Sequence, residues 1–312
     1  MTESTKEIFK RYQIRKTKKQ KSEFIEYVKQ LAERDGYDLK IEKGSFGARN
    51  IVVGDPDTAK VLYTAHYDTC ARLPFPNFIT PKSFFIYLIY QLLIFGACFA
   101  MAFLIGLLTG VILALLPISE ATAGTLMSFV PMAVYLILIY VLLGGPANKH
   151  TANDNTSGVT TLLDIMRELP NESKCKVAFV FFDLEEAGLF GSSSFASKHK
   201  DVKKNALVVN FDCVSDGETI LFALKKTTRK YADVLAKAFV TTEDVTVDIA
   251  PKAFYPSDNA SFSGGIGVAA LKRSKHFGIL YMDRIHTDKD VIYREENIRF
   301  LTNGAIKLAE IL

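Results

Sequence analysis

The stretch KVAFVFFDLEEAGLFGS (176–192) runs an apolar segment into Asp183, Glu185 and Glu186, then into a glycine-punctuated turn. An unbroken β-branched and aromatic run of this length reads as a strand buried on both faces, as in parallel sheets. Runs of the same character recur as NIVVG (50–54), KVLYTAH (60–66), ALVVNFD (206–212), TILFAL (219–224), VAALK (268–272) and GILYM (278–282). Helical stretches fall between them, at about 157–169, 188–199, 229–240 and 295–312. Residues 22–34 add an amphipathic helix, with Phe24, Tyr27, Val28 and Leu31 on one face. Strands alternating with helices predict an α/β fold, with a mixed, mostly parallel central sheet and helices on both faces.

The chemistry-bearing residues cluster where these strands end. KVLYTAHYD puts His66 and Asp68 past one strand, ALVVNFD ends on Asp212, and TANDNTSGV places Asp154 just before a helix. His286 follows the GILYM strand. Ligands of open α/β sheets bind at the carboxyl ends of strands. Two histidines and several carboxylates converging there predict a metal centre with mixed nitrogen and oxygen ligands, suited to zinc. The four cysteines (70, 98, 175 and 213) have no metal-ligand spacing and read as reduced packing residues. Taken singly, each position has a plainer reading: Asp154 as a helix cap, Asp212 as a turn residue, Glu185–Glu186 as a solvated helix start.

The ordered series AHYD (65–68), NDNTSGV (153–159), DLEEAGLFGS (183–192), NFD (210–212), SDNASF (257–262) and IHTDKD (285–290) resembles the co-catalytic di-zinc aminopeptidase family. That family includes leucyl aminopeptidases, glutamate carboxypeptidase and glutaminyl cyclase, and the resemblance spans nearly all of the non-membrane part. It implies a zinc-exopeptidase-like fold and two Zn²⁺, with other divalent metals also admitted. His66 and Asp212 would bind one ion, Glu186 and His286 the other, and Asp154 would bridge them at ~3.5–4 Å separation. Two Zn²⁺, three ligand carboxylates and a bridging hydroxide sum to neutrality, which a partly buried site tolerates. Asp68 would accept a hydrogen bond from His66 and fix its tautomer. Glu185 would be the general base toward a zinc-bound water. The resemblance further implies a cis Asp154–Asn155 peptide. Two departures bear on substrate: Asn259 stands where a histidine is frequent, and Ile285 where some relatives carry a tyrosine, a role open to Tyr255 or Tyr67.

From Ser83 to Asn148 the only charge is Glu120. Residues 83–119 and 121–148 are each long enough to cross a ~30 Å hydrocarbon core, which needs about 20 helical residues. Spans near 88–114 and 125–145 are expected, joined by a turn around Pro117–Gly124. The turn lacks Lys and Arg while the flanks carry Arg72, Lys82, Lys149 and Arg167, so both flanks are expected on the cytoplasmic side. The domain plan is then a discontinuous peptidase domain, 1–82 and 149–312, with residues 83–148 inserted as a transmembrane hairpin that contacts the lipid bilayer. Gly96, Ala97, Ala100, Gly106 and Gly110 suit helix–helix contact and leave homo-oligomerisation through the hairpin open.

Residues 1–21 carry eight Lys or Arg against two Glu, and no apolar run typical of a secretory signal. That segment is expected either to lie on anionic lipid or to be a solvated tail. A net charge of +4 gives no case for nucleic acid. The leading expectation is a membrane-anchored di-zinc exopeptidase acting on peptides, most simply an aminopeptidase. A carboxypeptidase or amidohydrolase would use the same metal residues. Glutaminyl cyclisation ranks lower. A different class, an inactive peptidase-fold receptor or assembly module, would be expected to lose metal ligands, and this chain keeps all five. A channel or transporter would need ionisable groups in the spans, and none is present.

Overall fold

The computed structural model describes residues 1–312. Its centre is a mixed sheet in which four strands run parallel: β4 (Val177–Phe182), β3 (Val61–His66), β5 (Leu207–Phe211) and β8 (Gly265–Arg273), neighbours in that order. Beyond β4 lie β2 (Arg49–Val53) and β1 (Leu39–Lys43), both antiparallel. Beyond β8 come β6 (Thr219–Ala223), antiparallel to it, and β7 (Thr246–Ala250), parallel to β6. A short β9 (Leu280–Tyr281) pairs with the end of β8.

Every residue of β3, β4 and β5 is buried, as their continuous apolar runs require. Alternate residues face opposite layers. Val61, Tyr63 and Ala65 point to the larger core, shared with α2 (Lys18–Arg34), α5 (Gly158–Glu168), α8 (Ala232–Ala238) and α9 (Glu295–Ile311). Leu62, Val180 and Val208 face a smaller core covered by Phe195 of α6 (Phe190–Lys198) and Val202 of α7 (Lys200–Asn205). The sheet therefore carries helices on both faces. The strands absent from the sequence reading, β1 and β7, are the two edges. An edge strand packs one face and solvates the other, so its apolar signal is diluted.

Two long helices interrupt this layering. α3 (Phe84–Ala114) and α4 (Glu120–Gly144) pack against each other and are each long and apolar enough to cross a membrane. Both begin four or five residues before the expected spans, α4 because the Ser119 hydroxyl caps the Thr122 N–H at 3.2 Å. The pair touches closely at Gly106, where a Cβ would meet Pro131 Cγ at 2.6 Å, and at Gly110 beside Met127. These two glycines thus serve contact within the chain, while Gly96 has open space. At the base the two ends are stitched together by an Ala71–Ala147 bridge, and Asn148 N–H donates to Cys70 O at 3.1 Å.

The N-terminal segment is not the solvated tail that its charge allows. After α1 (Glu3–Glu7) the chain turns inward: Ile8 and Tyr12 join the main core and Arg15 is fully buried. Arg15 Nε donates to Tyr67 O at 2.5 Å and Nη1 to Tyr12 O at 2.7 Å. The guanidinium stacks over Phe24, 5.3 Å from the ring centroid. Charge counting misread the segment because a single arginine with several carbonyl partners is stable inside.

Candidate active site

The C-terminal end of β3 delivers His66 and, two residues on, Asp68. Past β4, Leu184 and Leu189 adopt positive φ (54° and 60°) and fold Glu185–Gly188 into a tight loop. Non-glycine residues enter that region only where their surroundings compel them. Asp183 supplies part of the compulsion: it accepts from Leu184 N–H at 2.9 Å and Arg49 N–H at 3.0 Å, and pairs with buried Lys21 of α2. Asp212 follows β5. Asp154 enters from the segment before α5, and its bond to Asn155 is cis. His286, at φ 62°, lies in the loop after β9.

Five side chains meet. His66 Nε2 is 3.2 Å from Asp154 Oδ1 and 3.4 Å from Asp212 Oδ1. His286 Nε2 is 3.0 Å from Asp154 Oδ2 and 3.4 Å from Glu186 Oε2. The two oxygens of Asp154 thus face two donor groups, each with a histidine and a second carboxylate. Glu185 lies beside them, its donor atom grouped with those of His66 and Glu186 within 4.8 Å. All of these residues line a cavity of about 510 Å³, with Tyr87, Gln91, Leu143 and Tyr255 among its other walls.

The electrostatics fit a cation. Burial pushes the carboxyls of Glu185 and Glu186 well above the usual range, and neighbouring carboxylates push them further. Burial opposes protonation of His66, but Glu185, Asp212 and Asp154 outweigh it and hold the imidazole pKa well above its ordinary value. Asp154 Oδ1 and Glu186 Oε1 are buried without any hydrogen-bond partner. Carboxylate oxygens without hydrogen-bond partners, grouped with two imidazole nitrogens on the wall of one cavity, match the donor set of a zinc site.

The supporting residues differ in part from expectation. Asp68 and His66 stand 3.6 Å apart at Oδ1 and Nδ1, while His66 Nδ1 lies 3.3 Å from the Asp68 carbonyl oxygen. The Asp68 carboxylate instead accepts from the N–H groups of Glu185 (3.0 Å) and Glu186 (3.3 Å). One residue therefore orients both the imidazole and the paired glutamates. Asp290 was not singled out by sequence, yet its two oxygens accept from Asn153 N–H at 2.7 Å and Asp154 N–H at 3.0 Å. Asn155 was also missed. Its amide donates to His66 O and Phe211 O, and its oxygen accepts from Gly158 and Cys213 N–H, joining β3, β5 and α5. Only the motif positions of Asp290 and Asn155 hinted at these roles. Cys70, two residues past Asp68, is fully buried as a packing residue would be, and its sulfur is grouped within 4.8 Å with the donor atoms of Asp154, Glu186 and His286. Of the two tyrosines considered, Tyr67 points into the core and donates to Arg49 O at 2.9 Å. Tyr255 lines the cavity and donates to Asp212 O at 2.9 Å.

Comparison with solved structures shows the same fold in proteins of distant sequence. The LapA aminopeptidase of Legionella pneumophila aligns with a TM-score of 0.56 at 15% identity, over 98% of this chain and 69% of that one. A Bacteroides thetaiotaomicron glutaminyl cyclase bound to N-acetylhistamine aligns at 0.56 and 15%, over 97% and 94%. A leucine aminopeptidase precursor from Bacteroides thetaiotaomicron VPI-5482 aligns at 0.54 and 14%, over 97% and 93%. No curated protein matches the sequence. Residues 139–309 match the model of Peptidase family M28, a span that contains Asp154, Glu185, Glu186, Asp212 and His286 and leaves His66 and Asp68 to be brought in by β3. With more than half of its length inside that match, the chain belongs to Peptidase family M28.

Proposed function

We propose that this peptidase is a membrane-anchored, zinc-dependent exopeptidase of the aminopeptidase type. The observation that carries the reading is the meeting of His66, Asp154, Glu186, Asp212 and His286 beside Glu185 on the wall of one cavity. His66 and Asp212 would hold one divalent ion and Glu186 and His286 a second, with Asp154 available to both. When bound, such a pair polarises the scissile carbonyl and makes a water acidic enough to attack near neutral pH. Glu185 takes the proton of the attacking water and returns it to the leaving amine. Asp68 keeps Glu185 in place through its backbone N–H. Residues 83–148 form a hairpin across the bilayer, with the peptidase domain, 1–82 and 149–312, on the cytoplasmic side. Support for the anchor comes from the exposed apolar outer faces of α3 and α4, among them Phe85, Leu104 and Phe129, and from the basic flanks.

The test is digestion of a peptide library, half of it N-acetylated, by the detergent-solubilised, zinc-loaded protein, read by mass spectrometry. The expected result is loss of single N-terminal residues from free-amine peptides only, and none with Glu185→Ala. Trimming from the C-terminus would reassign the specificity to a carboxypeptidase. A zinc-loaded protein that cleaves nothing would overturn the peptide reading.

A further inference from the structure

Beside the catalytic cavity lies a second one of about 180 Å³. The two share Asn77, Gln91, Leu143, Glu186 and His286, so the smaller opens onto the candidate metal residues. Its remaining lining is almost wholly apolar, and much of it belongs to the two long helices. Tyr87, Gln91, Ile94 and Phe95 recur at helical spacing along α3 and place one stripe of that helix on the two cavities. Ile139, Leu142 and Leu143 do the same for the last turns of α4. On those same turns of α3, Leu92 and Leu93 face outward, 60% and 66% exposed. Ile94 is about 15 Å along α3 from its start at Phe84, at 1.5 Å per residue. Ile139, Leu142 and Leu143 lie within the last six residues of α4, which ends at Gly144, so the cavity sits at the base of the hairpin beside residues 71–77, with Phe95 and Leu143 exposed in its wall and a polar mouth at His286 and Glu186.

Resting on the peptidase reading above, we propose that the hairpin is part of the substrate site. The cavity between α3 and α4 takes a branched or aromatic apolar group, of leucine to phenylalanine size, carried next to the scissile amide. Its volume sets the size, since a dry apolar cavity of about 150 Å³ already accepts a benzene ring. Its walls set the chemistry: an apolar lining with a few polar groups at the mouth binds apolar groups and orients them. Gln91 and Asn77, at the junction of the cavities, are the polar groups positioned to meet the substrate backbone. The enzyme would then select substrates whose reacting end is apolar and reaches the base of the hairpin.

The experiment uses the full chain in nanodiscs, with two readouts. The first compares kcat/KM for tripeptide amides that begin with Ala, Leu or Phe. A preference of about tenfold or more for Leu or Phe is expected, the usual scale for filling an apolar pocket. Leu142→Trp, which fills the cavity, should cut the Leu-to-Ala ratio at least tenfold. Leu108→Trp, on an outward face of α3 that is 59% exposed, should leave the ratio unchanged. A ratio unmoved by Leu142→Trp, or moved equally by Leu108→Trp, would overturn the proposal. The second readout does not need turnover: a diazirine-bearing leucine amide is photo-crosslinked and the labelled peptides are mapped. Label on residues 91–95 or 139–143 that disappears with Leu142→Trp supports the subsite, and label confined to other segments refutes it. If no peptide is cleaved, the peptidase reading fails and the crosslinking result still decides the subsite.

Discussion

Asp68 shows how much one carboxylate does at this site. Its two oxygens hold the backbone of both Glu185 and Glu186, and asparagine keeps only one acceptor oxygen for that task. Asp68→Asn is expected to lower kcat by about 10–100-fold, the usual scale for a residue that orients ligands. Metal content, read by mass spectrometry of the metal, should equal that of the unsubstituted protein. A kcat within twofold of wild type would refute the assignment. Asp164 of α5 makes a different kind of prediction. Burial raises its carboxyl pKa from 3.8 to about 6, against the pull of Arg167 and of the Thr2 hydroxyl at 3.2 Å. The folded state therefore keeps a proton that the unfolded chain has released, and stability falls as pH rises from about 4 to about 6. Asp164→Asn removes this cost above that window. It should stabilise the protein at pH 8 by about 1–2 kcal/mol, from about 1.4 kcal/mol per pH unit reduced for partial exposure. Near pH 4 it should change little. Thermal unfolding at the two pH values decides, and equal destabilisation at both would count against it.

Among the elements, α3 and α4 raise the question of sidedness. Cys175 is exposed and lies just before β4, on the peptidase side of the hairpin. The Ser119–Thr122 cap marks the opposite end. With both flanks in the cytoplasm, a membrane-impermeant maleimide should leave Cys175 unlabelled in intact cells and label it after lysis. A cysteine placed at Thr122 should be labelled in intact cells. The reverse pattern would invert the topology. Recognition of these helices needed only their length and lack of charge. Their packing was legible only in part: the small residues from Gly96 to Gly110 suited helix contact, but which of them meet a partner shows only once Pro131 is seated on Gly106 and Met127 on Gly110. The opposite lesson holds for residues 1–16, where a run of basic residues looks like a tail until the carbonyls that receive Arg15 are in view.

Considered as one molecule, the protein gathers carboxylates from several segments into one pocket, and in the folded state they repel one another. Each metal ion bound only by the folded chain stabilises it by mass action, by about 4 kcal/mol when free metal is a thousandfold above its Kd. Chelation should therefore lower Tm by several degrees, and adding zinc back should restore it. Glu185→Ala, which keeps all five candidate ligands, should respond in the same way. A Tm indifferent to chelator in both proteins would argue against a metal in this site. The match to Peptidase family M28 begins inside α4 and includes the site from Asp154 onward. The whole-molecule arrangement adds the half-site carried by β3 and sets the apolar helices against it.

By itself the sequence determined the buried strands, the helices between them, the apolar hairpin and the set of metal-type residues. Each of these is written in local signals: an unbroken apolar run, a 3.6-residue stripe, a charge-free stretch, an acid or histidine just past a strand. The parts decided by tertiary structure depend on contacts between residues far apart in the chain. Whether Asp68 turns to His66 or to the Glu185 and Glu186 amides, whether Arg15 is solvated or buried, and which stripe of α3 faces the candidate metal residues all follow from how the layers pack. A side chain's partner is set by the direction and depth at which packing leaves it, and neither is encoded in its nearest neighbours along the sequence.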